Sequence, residues 1–391
     1  MTLSTADLPG ASRLASWTLP LRSLWRRVRT AGWETQAFLL VLGGWMVGMS
    51  VFVLFRYYTF QTNAFDLGIF NQAFATALHG QLFYETPDLR IIPSGSFLAV
   101  HFNLLMFLLL PLYALAPTPE TLLVAQTFVL GLGAVPVWLI SNRLLANRQM
   151  SLVLAAIYLF NPAILSLSIY DFHLEAFLPF FLGMTFYSFL ARRWRLHAVF
   201  LALSLVTMEF AAVLAFAMAL AHLLRGLGRR PTGGERHAFF PLVLRLDRTE
   251  RWVLGGTLLA TPFLAYGMLT ASFLIAGPAP PGASGQGSSL FVWLFDSPAL
   301  TAQWIQFWLL LFGTLLFLPL LAPRNLVMVL PWFGLTLIIS AAALTMTGYQ
   351  YGGAFVAPFL IWAVPFGIKK VKRLGLAKGL LLVVLLVSVT L

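Results

Sequence analysis

The sequence predicts an all-α polytopic membrane protein, with about 11 transmembrane helices in a single bundle. Its residues are 60% hydrophobic and only 10% charged, whereas soluble domains are about 45–50% apolar and about 25% charged. Apolar runs such as 37–55 and 253–275 approach or reach the roughly 20 residues with which a helix spans a bilayer. The strand alternation of a membrane barrel is not seen. The composition therefore excludes a soluble protein.

The positions of the charged residues predict how the chain crosses the membrane. Lysine and arginine are retained on the cytosolic side, and this rule leaves only Arg56 and Arg90 of the 25 basic residues outside. The expected location is the cytoplasmic membrane, with a cytosolic N-terminus. A net charge of +12 would suggest nucleic acid in a soluble chain, but here the arginines flank apolar spans and meet anionic headgroups. We therefore expect membrane lipids, and not nucleic acid, as partners.

A basic cytosolic segment, residues 1–36, precedes one transmembrane domain, residues 37–391. Spans are predicted at about 37–55, 119–141, 150–169, 174–190, 197–208, 210–224, 253–275, 302–322, 326–346, 354–368 and 374–391. The basic stretch 22–29 resembles the start of a signal peptide, but no small-residue cleavage site follows the first run, so we expect a retained helix. Because the last span reaches Leu391 without a polar tail, the chain is expected to be a fragment or to end abruptly.

Three longer connections are predicted between the spans. The outer segment 56–118 contains the apolar runs 65–78 and 101–115, which are predicted to form two juxtamembrane helices because the first has helical spacing and the second is short for a crossing. If 101–115 crossed the membrane instead, the arginines that follow the next span would lie outside. The connection 225–251 carries seven arginines and is cytosolic, whereas 276–300 is a flexible outer loop rich in glycine and proline.

Eight of the thirteen acidic residues fall on the predicted outer side. Those that mark orientation as outer-loop residues are Glu85, Asp88, Glu120 and Asp296. Those that adjoin helix ends are Asp66, Asp171, Glu175 and Glu209. Since an ionisable residue near hydrocarbon is costly unless it is solvated, paired or functional, the second group predicts one shared outer site. An alternative, a single long helix over 197–224, would bury Glu209 in the middle of the membrane.

Each carboxylate of this predicted site also has a structural interpretation. Asp66 and Asp171 are suited to cap helices, Glu175 would then lie near the positive end of a helix, and Glu209 fits a hydrogen-bonded structural acid equally well. Asp171, His173 and Glu175 are also suitable ligands for a divalent cation, the one cofactor that the sequence suggests. The chain has no cysteine, which excludes disulfides and thiolate metal sites.

Several short motifs resemble those of a known family. They are 65–70 (Phe-Asp-Leu-Gly-Ile-Phe), His101-Phe102, 171–175 (Asp-Phe-His-Leu-Glu), Glu209, and 349–351 (Tyr-Gln-Tyr) before Pro358. Together they resemble an uncharacterised prokaryotic family of polytopic membrane proteins, a domain of unknown function, over roughly residues 60–370. That family is in turn similar in architecture to the GT-C glycosyltransferases, which include the protein mannosyltransferases and the aminoarabinose transferases of lipid A.

The resemblance to GT-C enzymes implies a reaction. These enzymes take a sugar from a polyprenyl-phosphate carrier on the outer side of the membrane, and they place an essential carboxylate in the first outer segment. Asp66 occupies the matching position. An acceptor hydroxyl must lose its proton as it attacks the anomeric carbon, so a carboxylate within hydrogen-bonding reach is a suitable general base. The expected partner is therefore a polyprenyl-phosphate-linked sugar.

Substrate binding requires further residues. The lipid phosphate leaves with negative charge and needs cationic partners, for which the outer candidates are Arg56, Arg90, His101 and His173. The remaining residues expected to bind substrate are Asp171, Glu175, Glu209, Gln350 and Tyr351, and Tyr351 also suits the aromatic belt at the membrane interface. The sequence departs from the family at 208–210, where Met-Glu-Phe replaces the common Lys-Glu-Asp.

Two other classes of function fit the same residues. In a transporter or lipid flippase, the acids would form a path for a cation or proton, which predicts charges near the bilayer midplane and helices broken in corresponding halves. The gathering of the acids at one face favours surface chemistry. A non-catalytic scaffold is the third possibility.

Overall fold

The computed structural model describes residues 30, 32–63, 65–89, 92–229, 242–277, 297–339, 342–346, 350–371 and 374–390. The fold of these residues is helical, as predicted. The described strands are one antiparallel pair of three residues each, β1 (Leu227–Arg229) and β2 (Leu242–Leu244), at the two sides of the predicted cytosolic loop. Most of the predicted outer loop 276–300 lies outside the described residues.

Between residues 30 and 229, the described part of the chain forms ten α-helices. They are α1 (Trp33–Tyr58), α2 (Phe65–Leu78), α3 (Leu105–Leu115), α4 (Pro119–Leu132), α5 (Ala134–Leu145), α6 (Arg148–Phe160), α7 (Pro162–Ile169), α8 (Leu178–Leu190), α9 (Trp194–Leu205) and α10 (Glu209–Gly226). Within the described part of the second half the α-helices are α11 (Arg248–Ala276), α12 (Pro298–Gly313), α13 (Pro323–Leu326), α14 (Leu330–Ile338), α15 (Gln350–Phe355), α16 (Ala357–Ile368) and α17 (Leu374–Thr390). Short 3-10 turns occupy Phe97–Ala99, Leu174–Phe177, Leu318–Leu321, Val327–Val329 and Ala342–Thr345.

Several of these helices are long and apolar enough to cross a membrane. Five described segments meet that requirement, and a sixth does so if the bent pair α6 and α7 is one span. The five are Trp33–Tyr58, Pro119–Leu145, Glu209–Gly226, Arg248–Ala276 and Tyr351–Ile368. Five further described helices are apolar but shorter, Leu174–Leu190 and Trp194–Leu205 among them. The chain is therefore a membrane protein with several apolar helices, and the count of about 11 crossings stays a prediction.

The structure corrects three predicted boundaries. Helix α3 begins at Leu105, so His101 lies in a turn before the helix and not within it. The predicted span 302–322 is interrupted after Gly313, where Leu316 and Phe317 adopt left-handed backbone angles. The predicted span 326–346 is divided at Val327–Val329 and again after Ile338. A proline in the first turn of α14 favours a new helix start, because proline has no N–H to donate to a preceding turn.

The connection between α9 and α10 decides the position of Glu209. Helix α9 ends at Leu205, Met208 is fully extended with φ −170° and ψ 164°, and Glu209 is the first residue of α10. The carbonyl of Val206, left free by the break, accepts a hydrogen bond of 2.8 Å from the backbone N–H of Leu105. The alternative of one long helix over 197–224 is therefore wrong, and Glu209 lies at a helix start, where a carboxylate is favoured.

The charged residues separate to two ends of the helical bundle. The acidic end is the end of the bundle where α1 and α7 finish and where Asp66 lies. There, Arg56 Nη1 of α1 donates to the carbonyl of Ile169 at 3.1 Å. At the opposite, basic end, Lys378 Nζ donates to Gln149 Oε1 at 3.2 Å. Gly32, just before α1, lies next to the side chain of Arg148 at the start of α6. Helix α1 therefore leads from the basic end to Arg56, and α6 with α7 leads from Gln149 to Ile169, so these helices run between the two ends.

Close packing in the centre of the bundle holds this arrangement. A Cβ atom on Gly183 of α8 would come within 2.6 Å of Pro136 in α5 and 2.8 Å of Trp362 in α16. Glycine at this position therefore lets three helices meet directly. A second apolar cluster lies at the acidic end and includes Phe70, Phe97 and Phe172, and it supports the polar residues described next.

Candidate functional site

The acidic end gathers polar side chains from four separate parts of the chain. Asp66 lies in the first turn of α2, and His101 lies in the turn before α3. The loop between α7 and the Leu174–Phe177 turn contributes Tyr170 and His173, and α10 begins with Glu209. The following contacts show that these parts meet.

Asp66 is held by the loop that follows α7. Its Oδ2 accepts a hydrogen bond of 3.2 Å from the hydroxyl of Tyr170, and the same oxygen is 3.6 Å from Nε2 of His173. The second distance is too long for a hydrogen bond. The side chain of Asp66 is 24% exposed. One carboxylate oxygen is thus positioned by Tyr170, and the carboxyl group stays accessible.

The ring of His173 is oriented by the backbone around it. Its Nδ1 is 3.0 Å from the carbonyl oxygen of Asp171, and because a carbonyl only accepts, Nδ1 carries the proton. Nε2 then has a lone pair in the neutral ring and an N–H toward Asp66 only when the ring is protonated. His173 can therefore stabilise the Asp66 carboxylate in one protonation state and accept a proton in the other.

A buried glutamine on α4 fixes this loop. Gln126 Oε1 accepts a bond of 2.6 Å from the backbone N–H of His173, and Gln126 Nε2 donates to the carbonyl of Leu167 at 3.1 Å. Its side chain is completely buried. A buried amide is costly unless it is hydrogen-bonded, so Gln126 is a positioning residue for the loop. Sequence reasoning missed it, although a lone amide within an apolar span was a usable signal.

His101 and Glu209 form a second histidine–carboxylate pair. Nδ1 of His101 and Oε1 of Glu209 are 2.6 Å apart, and the side chains are 40% and 15% exposed. The protein atoms around His101 would by themselves lower its pKa, but the hydrogen bond and charge of Glu209, with the charges of Glu175 and Asp88, raise the pKa above 6.5. The pair therefore favours a charged imidazolium next to a carboxylate.

The two pairs lie on either side of one aromatic layer. The ring centroid of Phe70 is 5.9 Å from that of His173 and 4.6 Å from that of Phe97. The centroid of Phe97 is in turn 6.5 Å from that of His101. Both pairs thus rest on the same rigid packing, which fixes their relative positions.

Asp88 belongs to the same electrostatic environment. Burial raises its pKa, the charge of Asp66 raises it further, and His101 lowers it in part. Its neighbour Glu85 is completely buried, and one of the Glu85 oxygens accepts a bond of 3.1 Å from the backbone N–H of Asp88. From the sequence, both acids were expected only to mark orientation. The electrostatic effect of Asp66 on Asp88 depends on the folding of the outer segment, for which the local sequence contained no signal.

A polar cavity of about 280 Å³ lies next to Tyr170 and Asp171. The side chain of Arg56 lines it and donates to the carbonyls of Ile169 and Gln61 at 3.1 and 2.6 Å. Arg56 thus lies beside the loop that holds Asp66, whereas Arg90 lies outside the described residues. The cavity has room for a small polar group between a guanidinium and the loop that holds Asp66.

The other predicted residues are placed as follows. Asp171 is buried in the loop after α7, and Glu175 is buried in the Leu174–Phe177 turn. Among the described residues, no three acidic or histidine side chains are arranged to hold a metal ion, and a divalent cation stays a prediction. Gln350 begins α15, which packs against the Leu174–Phe177 turn, but its side chain lies outside the described part. Tyr351 packs against Trp332 and Phe355, with centroid distances of 5.2 and 5.8 Å.

Comparison with known proteins agrees with the membrane architecture. The model of a family described as predicted membrane protein, DUF2079, matches residues 56–391. The chain therefore belongs to this family. The match begins at Arg56 and includes each of the polar groups described above. Among curated proteins, none matches the sequence.

Proposed function

We propose that this DUF2079 protein is a GT-C-like glycosyltransferase that moves a sugar from a polyprenyl-phosphate carrier to an acceptor hydroxyl at the outer face of the cytoplasmic membrane. The observation that carries the proposal is the environment of Asp66. This carboxylate follows the first membrane helix, is held by Tyr170 at 3.2 Å, and lies beside His173. An accessible, positioned carboxylate of this kind is suited to general-base catalysis.

In the proposed reaction Asp66 removes the proton of the acceptor hydroxyl. The acceptor oxygen attacks the anomeric carbon, and the bond from that carbon to the phosphate oxygen breaks, with its electron pair leaving on the lipid phosphate. The hydroxyl of Tyr170 donates a hydrogen bond to Oδ2 of Asp66, so in this proposal Oδ1 receives the proton. His173 is placed to stabilise the carboxylate or to accept the proton after transfer.

The leaving phosphate requires positive charge, and two groups supply it in this proposal. Arg56 lines the polar cavity, and its guanidinium is permanently charged. The protonated His101 is the second, since its carboxylate neighbours raise its pKa. Glu209 then positions His101 through their 2.6 Å contact. Charge-assisted hydrogen bonds of this type strengthen as negative charge develops on the leaving group.

A lipid-linked donor also needs an apolar path from the bilayer. A groove of about 780 Å³ lies between α3, α4 and the start of α8. Its walls include Phe128, Phe177 and Phe181, and polar groups occur at Thr118 and Glu120. An apolar groove of this size suits the lipid chain, so the donor would reach the site laterally from the outer leaflet.

The test is transfer by purified protein in nanodiscs with radiolabelled polyprenyl-phosphate sugars and an extract of envelope acceptors. Asp66→Asn should lower the rate at least about 100-fold, in the range measured for loss of a general base. Glu34→Gln is the matched control, because Glu34 is an acid in the first turn of α1, at the opposite end of that helix from Arg56. Its transfer should stay near the wild-type rate.

Two results would count against the proposal. Asp66→Asn protein that is folded and transfers sugar at the wild-type rate would remove Asp66 as the base. Solute uptake into vesicles that lack any lipid-linked sugar, lost in the same variant, would favour a transporter in place of a transferase.

A further inference from the structure

We infer that the start of α11 binds the phosphate of an anionic phospholipid in the leaflet at the basic end of the bundle. The structure has a groove of about 540 Å³ there. Its lining residues are Arg248, Arg251, Trp252, Gly255, Gly256 and Leu259. This inference concerns the membrane-facing side of α11 and is independent of the proposed transferase reaction.

The lining residues form one continuous face of the helix. Their spacing of three, four, seven, eight and eleven residues from Arg248 is that of side chains on the same side of an α-helix. Helix α11 is 29 residues long, and it contains an apolar stretch of 18 residues of which only 17% is buried inside the protein. Trp252 and Leu259 are 72% and 71% exposed. The face is therefore open to lipid.

The two arginines on this face are available for an anion. The nearby carboxylates of Asp247 and Glu250 pair with Arg192, at 3.2 and 3.1 Å. Both acids also form the capping box of α11. In the described part of the chain, neither Arg248 nor Arg251 forms an ion pair. Two guanidinium groups one helical turn apart match the geometry of a phosphate, which accepts several N–H donors at once.

The glycines provide space for the rest of the lipid. A Cβ atom on Gly255 or Gly256 would have no protein atom within 4 Å, so the helix surface is indented at this level. Gly255 is four residues from Arg251, or about 6 Å along the helix axis. That is the direction from headgroup toward acyl chains, and Trp252 lies between them, at the level where tryptophan favours the interface.

A phospholipid fits this face better than a second copy of the chain. In a twofold dimer through α11, the same surface would meet itself. Arg248 and Arg251 would then face their own copies without a carboxylate between them. A lipid phosphate supplies the opposite charge, and each basic residue near an anionic membrane surface adds to the affinity.

The test compares binding of dioleoylphosphatidylglycerol and dioleoylphosphatidylcholine to the full chain in detergent, by native mass spectrometry and by thermal unfolding. The wild type should retain phosphatidylglycerol and gain thermal stability from it, and phosphatidylcholine should have a smaller effect. In Arg248→Gln/Arg251→Gln, the apparent affinity for phosphatidylglycerol should fall about tenfold or more. Arg193→Gln/Arg195→Gln, which removes two exposed arginines at the start of α9, is the matched control and should bind as the wild type does.

A second variant keeps the test independent of folding. Gly256→Leu fills the indentation where the protein has no neighbouring atoms, so it should preserve thermal stability without lipid and still weaken phosphatidylglycerol binding. Equal binding by the wild type and both α11 variants would overturn the inference. It would also be overturned if Gly256→Leu dissociated a dimer without changing lipid retention, because that result would identify the face as a protein interface.

Discussion

His101 and Glu209 are joined by a contact whose strength depends on protonation. The neighbouring carboxylates raise the pKa of His101 above the 6.5 of an unperturbed histidine. The folded state therefore binds the proton more tightly than the unfolded state. The resulting stabilisation is fully present below about pH 6.5 and is lost as the pH rises through the folded pKa.

We therefore predict that His101→Gln destabilises the protein more in acid than in alkali. At about pH 6 the loss should be about 1 kcal/mol, less than for a buried charged hydrogen bond because the His101 side chain is 40% exposed. At about pH 9 the loss should be smaller. Chemical denaturation of the wild type and the variant in detergent measures the loss of unfolding free energy at each pH. A loss that is larger at about pH 9 than at about pH 6 would contradict the prediction.

The candidate site was predictable residue by residue only where the sequence contained an unusual signal. Asp66, His173 and Glu209 were predicted because charged or titratable groups next to apolar runs are costly without a role. Tyr170 and Asp88 were not, since a tyrosine at a helix end and an acid in a loop are ordinary. The hydrogen bond from Tyr170 to Asp66 and the electrostatic effect of Asp66 on Asp88 arise from the meeting of segments about 20 to 100 residues apart in the chain, which no local pattern encodes.

At the level of helices, hydropathy predicted where a helix is present better than whether that helix is unbroken. The predicted juxtamembrane run 65–78 has the same bounds as α2, because its helical spacing and stop signal agree. The run 326–346 was predicted as one helix but is several. Uniformly apolar sequence does not show where a helix breaks, since the breaks come from proline, backbone angles and tertiary hydrogen bonds.

The contact between α7 and α15 positions the loop that carries Tyr170. A Cβ atom on Gly353 of α15 would lie 2.3 Å from the carbonyl oxygen of Ala163 in α7. The two backbones are therefore in direct contact, and only glycine permits this separation.

We predict that Gly353→Ala lowers the free energy of unfolding by about 1–3 kcal/mol, because α7 and α15 must move apart. Gly334→Ala is the matched control, since a Cβ atom on Gly334 of α14 meets no protein atom within 4 Å. It should be neutral, or stabilising by up to about 1 kcal/mol, because alanine is the better helix former. Thermal unfolding of both variants in the same detergent decides the matter, and equal effects would refute the packing argument.

At the scale of the whole molecule, the helices connect two chemically different ends. The acidic end contains Asp66, His101 and Glu209, and the basic end contains Arg148, Arg192 and Lys378. The separation was predictable from sequence because the positive-inside rule acts on each loop in turn. The packing of the helices was not, since apolar side chains on neighbouring spans look alike.

This separation predicts the orientation of the protein in the cell. The chain has no cysteine, so one introduced cysteine reports one position. His79→Cys, just after α2 at the acidic end, and Gln149→Cys, at the start of α6 at the basic end, both replace exposed residues. In intact spheroplasts, a membrane-impermeant maleimide should label His79→Cys fully. It should label Gln149→Cys only after lysis, because arginine-rich ends stay in the cytosol. Labelling of Gln149→Cys in intact spheroplasts would show that the basic end faces outward. That orientation would contradict the proposal that Asp66 acts on substrates outside the cell.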